Sequence, residues 1–297
     1  MKTIIWRHFL LIQLSVLVSL LGVGCGSTKE TLSSERLTVG VVSYGEQAVS
    51  LEKYEQFKNY LAAQTQSIVE LEPAYNELQA FEQIQRQNWE IVFAPPGLAA
   101  IAMSKGQYIP LFSMEGANGR QRSILVVRDD KPIRNIADLT NKTVALGHVG
   151  SAAGYYVPLY DLYGLTLADI RFAPTPKTVL EWLNEDSVDA GAMSEQDFEL
   201  YQRQFSTTKF RILHTSRWIP SPVVLLAPTV ERNRQQQIQK AMEQAPGYII
   251  SDAGYVPAAK IPKYEQFIKL VEKVKPLEAQ LEQTPVVLLN PESAKSE

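Results

Sequence analysis

The stretch "VALGHVGSAAGYYVP", residues 144–158, passes from an apolar, strand-like run through small residues into a helical pattern. Its middle carries very little side chain, since residues 151–154 read Ser-Ala-Ala-Gly. Such a sequence fits a tight turn, and it equally fits a place where a small polar ligand reaches the backbone. The free N–H groups and the dipole at a helix start favour an anion. The stretch therefore predicts a strand–loop–helix unit whose loop is either an anion site or a plain serine cap with small packing residues.

Strand and helix patterns alternate along most of the chain. Residues 51–61 follow a capping Ser50 with apolar residues on one helical face, and residues 78–84 repeat this spacing. The alternation predicts an α/β fold with helices on both faces of its sheets. The number of strands suits two mixed, mostly parallel sheets better than one. The predicted strands are residues 37–42, 68–71, 90–94, 123–128, 143–147, 170–173, 188–193, 210–214 and 222–227, and two later helices are centred on Gln237 and Phe267.

Length and charge limit the classes of protein. The chain has 297 residues, which fits one large or two modest domains. Its 45% hydrophobic and 21% charged residues are typical of a soluble protein. The formal net charge is −3 without a basic cluster, so the composition argues against a nucleic-acid partner.

The N-terminus departs from this average. Lys2 and Arg7 precede an uncharged apolar run over residues 9–24, whose 16 residues are short for a membrane span and fit the core of an export signal. An uncleaved anchor helix is the alternative. Cys25, the only cysteine, follows at once, so no internal disulfide is possible.

The segment "LLGVGC", residues 20–25, resembles the lipobox of bacterial lipoproteins, in which the cysteine receives a lipid and becomes the mature N-terminus. The family prefers leucine three residues before the cysteine, whereas Leu21 lies one residue earlier than that position. A chance cysteine near an ordinary cleavage site is the alternative. We therefore expect a signal peptide over residues 1–24, lipidation at Cys25 and a polar tether over residues 25–36.

Three blocks resemble the substrate-binding proteins of ABC importers, in the phosphate/phosphite/phosphonate branch. They are "VRDDKPIRNIADLTNKTVALGHVGSAAGYYVP" (127–158), "VDAGAMSEQDFELY" (188–201) and "ILHTSRWIPSPVVLLA" (212–227), in the order and spacing of the family. The resemblance covers roughly residues 37–275. It implies a bilobal, type II periplasmic-binding-protein-like fold with two crossing segments as a hinge and the ligand in the cleft. Lobe 1 would comprise residues 37–125 and 220–285, lobe 2 residues 126–219, and a tail residues 286–297.

The resemblance also implies ligand-binding residues in the opening stretch. Ser151 matches the first serine of the family's Ser-Thr-Ser-Gly motif, and Gly154 matches its glycine. Ala152 and Ala153 replace the two other hydroxyl residues and so remove two side-chain donors. His148 is a further candidate, with a turn or surface histidine as the alternative.

Other candidates lie where further strands end. The family places an aromatic residue near Tyr44, and it has Gly-Pro followed by a ligand-contacting tyrosine near Pro96 and Gly97, although this chain has no tyrosine at Leu98 or Ala99. The alternative for Tyr44 is a surface position.

The family's histidine before the "VDAG" strand is also missing, and Thr175 or Lys177 could replace it. A solvated lysine at a helix start is the alternative for Lys177. Glu195 could face a ligand amine or could simply be an acid in the first turn of a helix.

Catalytic motifs are missing from the sequence. The three histidines are His8, His148 and His214, and no pair has metal-ligand spacing. No Gly-x-Ser-x-Gly elbow and no Walker loop occurs. We therefore expect no enzyme activity, no cofactor and no metal site.

The expected protein is a monomeric, lipid-anchored solute-binding protein at the extracytoplasmic face of the cell membrane. It would bind a small anion, such as a phosphate or phosphonate, and deliver it to an ABC permease. A bilobal lipoprotein that signals to a membrane partner is the alternative. An exported enzyme would need titratable residues that converge in the cleft, and the sequence offers only His148, Lys177 and Glu195.

Overall fold

The structure is a computed structural model that describes residues 36–42, 50–115 and 121–289. The predicted signal peptide, Cys25, most of the tether and Tyr44 lie outside the described residues. Arg36, the last residue assigned to the tether, already belongs to the first strand.

Thirteen strands occur in the described residues, and most of them match an apolar run of the sequence. They are β1 (Arg36–Val42), β2 (Ile68–Ala74), β3 (Ile91–Ala94), β4 (Ile109–Met114), β5 (Gln121–Arg128), β6 (Thr143–Leu146), β7 (Thr166–Leu167), β8 (Asp169–Phe172), β9 (Ala190–Ser194), β10 (Phe210–Ile219), β11 (Val223–Leu226), β12 (Tyr255–Val256) and β13 (Val286–Val287).

The strands form two main sheets. The first has the order β12-β4-β11-β3-β1-β2, and the second has the order β10-β5-β9-β6-β8. β7 and β13 pair in a separate two-stranded sheet. Parallel pairs surround β1 and β6, whereas the described pairs of β4, β5, β10, β11 and β12 are antiparallel. The sequence predicted mostly parallel sheets, but among the described strand pairs only those of β1 and β6 are parallel.

Helices follow most of the parallel strands. They are α1 (Glu52–Thr65), α2 (Glu77–Gln85), α3 (Pro96–Ser104), α4 (Val157–Asp161), α5 (Pro176–Asn184), α6 (Glu195–Tyr201), α7 (Arg232–Glu243), α8 (Gly247–Ala253) and α9 (Glu265–Val274). A π-helical turn, Ala152–Tyr156, leads directly into α4, and 3-10 turns occupy Ile136–Leu139, Gln202–Gln204 and Lys275–Gln280.

Packing joins the two sheets into one unit from Arg36 onward. One continuous apolar core contains β1 and β3 of the first sheet together with parts of β5 and β6 of the second. On the first sheet, Tyr54, Phe57 and Leu61 form the buried face of α1, as their spacing predicts. Among the described residues, no helix has the length and apolarity that a membrane crossing requires.

Several elements differ from the sequence prediction. β4 was missed because Pro110 and the polar Ser113 interrupt its apolar run, and the short α8 was missed because its buried face is small. β10 continues to Ile219 because it pairs with β5 over that whole length, with two irregularities. The segment expected to be a tail from residue 286 begins with β13, whose neighbour Leu288 is buried and exchanges backbone hydrogen bonds with Gly164 and Leu165.

Candidate functional site

A cavity of about 230 Å³ lies between the strand ends of the two sheets. The first sheet contributes Pro95 and Pro96, which follow β3, and Glu77 at the start of α2. The second sheet contributes the loops after β6, β8 and β9. Its wall residues are 147–148, 150–154, 173–176, 179, 192–194, 196, 197 and 201, with Gln121 at the start of β5.

The beginnings of five helical segments converge on this cavity. They are the first turns of α2, α3, α5 and α6 and the start of the π-helical turn that leads into α4. The first N–H groups of a helix have no partner within the helix, and they carry the positive end of its dipole. Pro96 and Pro176 carry no N–H. The N–H groups that donate to cap side chains are those of Gln79, Gly154, Thr178 and Asp197. The donors for an anion at these helix starts are therefore the other first-turn N–H groups.

The opening stretch forms the second-sheet side of the wall, and several hydrogen bonds hold it in place. Gly147 N–H donates to the Gly154 carbonyl over 2.8 Å, and Gly150 N–H donates to the Tyr156 hydroxyl over 3.2 Å. The Ser151 hydroxyl accepts from Gly154 N–H over 3.0 Å. Its own proton can still be donated, so Ser151 both caps the helix and offers a donor to the cavity.

The buried Ser123 also forms hydrogen bonds that hold this wall in place. The Ser123 hydroxyl in β5 donates to the Ala153 carbonyl over 2.6 Å. Ser123 N–H in turn donates to the Ser216 hydroxyl in β10 over 2.9 Å. β5 is thus bonded directly to the π-helical turn, and β10 is connected to that turn through Ser123.

Backbone meets backbone where the two sheets approach each other. A Cβ atom added to Gly97 would lie 2.1 Å from the Gly150 oxygen and 2.8 Å from the Ala152 nitrogen. Gly150 itself has φ +104°, a conformation that favours glycine. The first turn of α3 therefore packs against the loop of the second sheet as closely as two glycines permit.

An acidic side chain lies in the same wall. The Asp197 carboxylate accepts a 2.5 Å hydrogen bond from the Ser194 hydroxyl, and Asp197 N–H donates back to that hydroxyl over 3.0 Å. Burial raises the pKa of the Asp197 carboxyl above its ordinary value, although its bonds to Ser194 act in the opposite direction. In the described part of the chain, no lysine or arginine lines the cavity.

The structure brings most of the candidates from the sequence together. Those that line the cavity are Pro96, His148, Ser151, Ala152, Ala153, Gly154 and Thr175. The His148 ring stacks on Phe172 with 6.1 Å between ring centroids, and the Thr175 hydroxyl accepts from Thr178 N–H over 3.1 Å as a helix cap.

Three candidates lie outside the wall. Gly97 packs against Gly150, as described above. Lys177 and Glu195 each follow a wall segment along the chain, but neither belongs to the residues that line the cavity. For Glu195, the reason is the helical turn, which places Ser194, Gln196 and Asp197 in the wall and Glu195 away from it.

Glu77, Ser194 and Asp197 also line the cavity, and the sequence pattern did not lead to their prediction. The sequence does contain a signal for Ser194 and Asp197. In "SEQD" a serine is followed three residues later by an acid, a pattern that marks the start of many helices. Asn76, which caps α2 by accepting from Gln79 N–H over 2.8 Å, marks the helix that carries Glu77. Among the described residues, no group of three metal-ligating side chains is present.

Comparison with known proteins identifies the class. The model of the family described as "ABC transporter, phosphonate, periplasmic substrate-binding protein" matches residues 39–247. The chain belongs to this family of periplasmic substrate-binding proteins, which are transport proteins rather than enzymes. A search of curated proteins found no match.

Solved structures share the bilobal α/β fold. PhnD1 of Prochlorococcus marinus, in complex with methylphosphonate, is 14% identical with a TM-score of 0.60 over 81% of this chain and 98% of that chain. A binding-protein component of a phosphonate ABC transporter from Pseudomonas aeruginosa is 14% identical with a TM-score of 0.58 over 84% and 88%. A Xanthomonas citri protein bound to ATP is 19% identical with a TM-score of 0.65 over 81% and 98%.

Proposed function

We propose that this protein captures a small phosphorus-containing anion, such as a phosphonate, in the cavity between its two sheets and delivers it to an ABC permease. The observation that carries the proposal is the convergence of five helical N-termini on one cavity of about 230 Å³. Backbone N–H groups in this arrangement bind an oxyanion without a cationic side chain. The methylphosphonate complex of the related fold supports the same ligand class.

The Asp197 carboxylate limits which anion can bind. A fully ionised phosphonate beside it would experience like-charge repulsion in a place shielded from water. A ligand that presents a P–OH proton or an amine to Asp197, while its other oxygens face the helix starts, satisfies both the carboxylate and the backbone N–H groups. We therefore propose a monoanionic or amine-bearing phosphonate.

Closure around the ligand would use the contact between Gly97 and Gly150. Ligand that touches the walls of both sheets binds more tightly when the sheets are close, and this difference in affinity favours the closed state. In this proposal the lobes are those expected from the sequence, 37–125 with 220–285 and 126–219, with the first boundary moved to the start of β5 at Gln121 because β5 pairs within the second sheet.

The N-terminal segment supplies the membrane attachment in this proposal. A lipid on Cys25, at the end of an export signal over residues 1–24, would hold a monomer at the extracytoplasmic face. Cys25→Ser tests this point, because the variant should leave the membrane fraction and lose the mass of the lipid. Equal membrane association of both proteins would contradict lipidation.

Thermal unfolding in the presence of candidate ligands tests the binding function. A ligand at 100 times its Kd stabilises the native state by about 2.7 kcal/mol, which raises the Tm by several degrees. The panel is methylphosphonate, an aminoalkylphosphonate, phosphite, phosphate and sulfate. The proposal fails if no member of the panel raises the Tm, and the ligand class fails if sulfate alone does so.

A further inference from the structure

A second concave surface lies beside the strand that returns from the second sheet to the first. We call it the crossing groove: residues 217–221, at the end of β10 and beyond it, form one side, and residues 260–270 form the other. Its volume is about 420 Å³, and it is open to solvent. None of the cavity's wall residues belongs to it.

The charge of the crossing groove is opposite to that of the whole chain. Its charged lining residues in the described part of the chain are Arg217, Lys260 and Lys263, all basic and all exposed. None of the three is within ion-pair distance of a carboxylate among the described residues, whereas the whole chain carries a net charge of −3. A partner that is complementary to the groove is therefore acidic.

Aromatic and apolar groups lie beneath the positive charge. The Trp218 side chain is 46% exposed, and the Arg122 guanidinium stacks over its ring at 3.7 Å. Ile219, Phe267 and Leu270 are buried and form the floor. An exposed tryptophan with an arginine, above an apolar floor and inside a basic rim, has the composition of a protein-binding hot spot.

The groove also adjoins the strand that contacts the ligand-facing wall. Ser216, next to Arg217, accepts a hydrogen bond from Ser123 N–H, and the Ser123 hydroxyl donates to the Ala153 carbonyl in the wall of the cavity. A partner in the crossing groove would therefore contact Arg217, whose neighbour Ser216 is connected to that wall through two successive hydrogen bonds.

We propose that the crossing groove is a docking surface for an acidic segment of a partner protein. The concave shape and apolar floor fit an extended chain, whereas a membrane surface is flat and would contact only the rim. A small free anion would leave Trp218 and the floor uncovered. The proposal does not depend on which solute occupies the cavity.

Fluorescence anisotropy with defined peptides tests the proposal on the full chain. The probe is a labelled dodecapeptide of Glu residues around one central Phe, and the control peptide replaces each Glu by Gln. We expect the Glu peptide to bind, and the Gln peptide to bind at least tenfold more weakly. The double substitution Lys260→Glu and Lys263→Glu should weaken binding at least tenfold, and Trp218→Ala about threefold or more.

Lys209→Glu with Lys240→Glu is the matched control, since it reverses two exposed lysines outside the groove. It should change the affinity less than twofold. Equal losses in the two double variants, or no effect of Trp218→Ala, would overturn the proposal, as would no binding of the Glu peptide. Tighter binding to phosphatidylserine vesicles with the same dependence on Lys260 and Lys263 would assign the groove to lipid and overturn it as well.

A phosphonate that raises the Tm of the unsubstituted chain should raise the Tm of the Lys260→Glu/Lys263→Glu variant equally. This measurement shows that the variant is folded, and it separates failure of the groove proposal from failure of the solute-binding function.

Discussion

We propose an anionic partner both for the cavity wall and for the crossing groove, and the two regions would bind it by different physical means. The wall has no lysine or arginine among its described residues, and it relies on backbone N–H groups and the Ser151 hydroxyl. The groove has three exposed cations above an aromatic and apolar floor. The wall is held by buried hydrogen bonds, whereas the groove presents long side chains at the surface, of which Arg217 lies over the Tyr160 ring at 4.7 Å.

This difference indicates different kinds of recognition. Fixed backbone donors at short range select for shape and for the placement of oxygens, and salt screens such short hydrogen bonds less than it screens exposed charges. Exposed cations act over several ångströms and tolerate many acidic sequences, and salt screens them strongly. A solute is therefore expected at the wall and a protein segment at the groove.

Gly97→Ala should have the largest effect, and it concerns the wall alone. The new Cβ would overlap the Gly150 oxygen, so the two sheets could not approach as closely. Overpacking of this kind costs about 1–3 kcal/mol, which corresponds to about a tenfold to hundredfold loss of phosphonate affinity by calorimetry. Gly247→Ala is the matched control, because a Cβ there meets nothing within 4 Å. Unchanged affinity in Gly97→Ala would show that closure does not use this contact.

Salt should separate the two regions clearly. Between 50 and 500 mM NaCl, the affinity of the Glu peptide for the groove should fall about tenfold or more, since exposed charges are screened. The affinity of a phosphonate for the cavity should change about twofold or less over the same range. Equal salt dependence at the two sites would remove the distinction between backbone and side-chain recognition.

Ser151→Ala should have an intermediate effect on the wall. The substitution removes a helix cap worth about 1 kcal/mol and a hydroxyl donor to the ligand, so phosphonate affinity should fall about tenfold and the Tm by a few degrees. Asn135→Ala provides the comparison, because Asn135 caps a 3-10 turn outside the cavity by accepting from Asp138 N–H. Its Tm should fall while its phosphonate affinity stays unchanged. A similar loss of affinity in both variants would attribute the effect of Ser151 to stability alone.

The sequence predicted the wall better than it predicted the groove. The wall depends on local signals: a strand, small residues and a cap follow one another from Val144 to Tyr156, and the chain geometry brings such strand ends together. Asp197 was missed although it lies two residues from the chosen Glu195, because only the register of the helical turn decides which of them faces the cavity. The crossing groove joins residues about 45 positions apart, Arg217 and Lys263, and no periodic pattern indicates that they meet.

Asp197→Asn should have the smallest effect, and it tests whether the ionised Asp197 carboxylate destabilises the folded protein. Burial raises the pKa of this carboxyl in the folded protein, so the folded state binds the proton more tightly than the unfolded state does. Its contribution to stability is therefore favourable only at low pH and is lost as the pH rises from the ordinary pKa through the raised pKa.

The Asn side chain keeps an acceptor for the Ser194 hydroxyl and carries no charge. Without ligand, the variant should gain about 2 °C in Tm at pH 7, and this gain should vanish toward pH 3. Asp252→Asn, at an exposed position, should show no such trend. A variant that is less stable than the parent at pH 7 would show that the ionised carboxylate stabilises the wall, and the ligand would then need no donor to offset it.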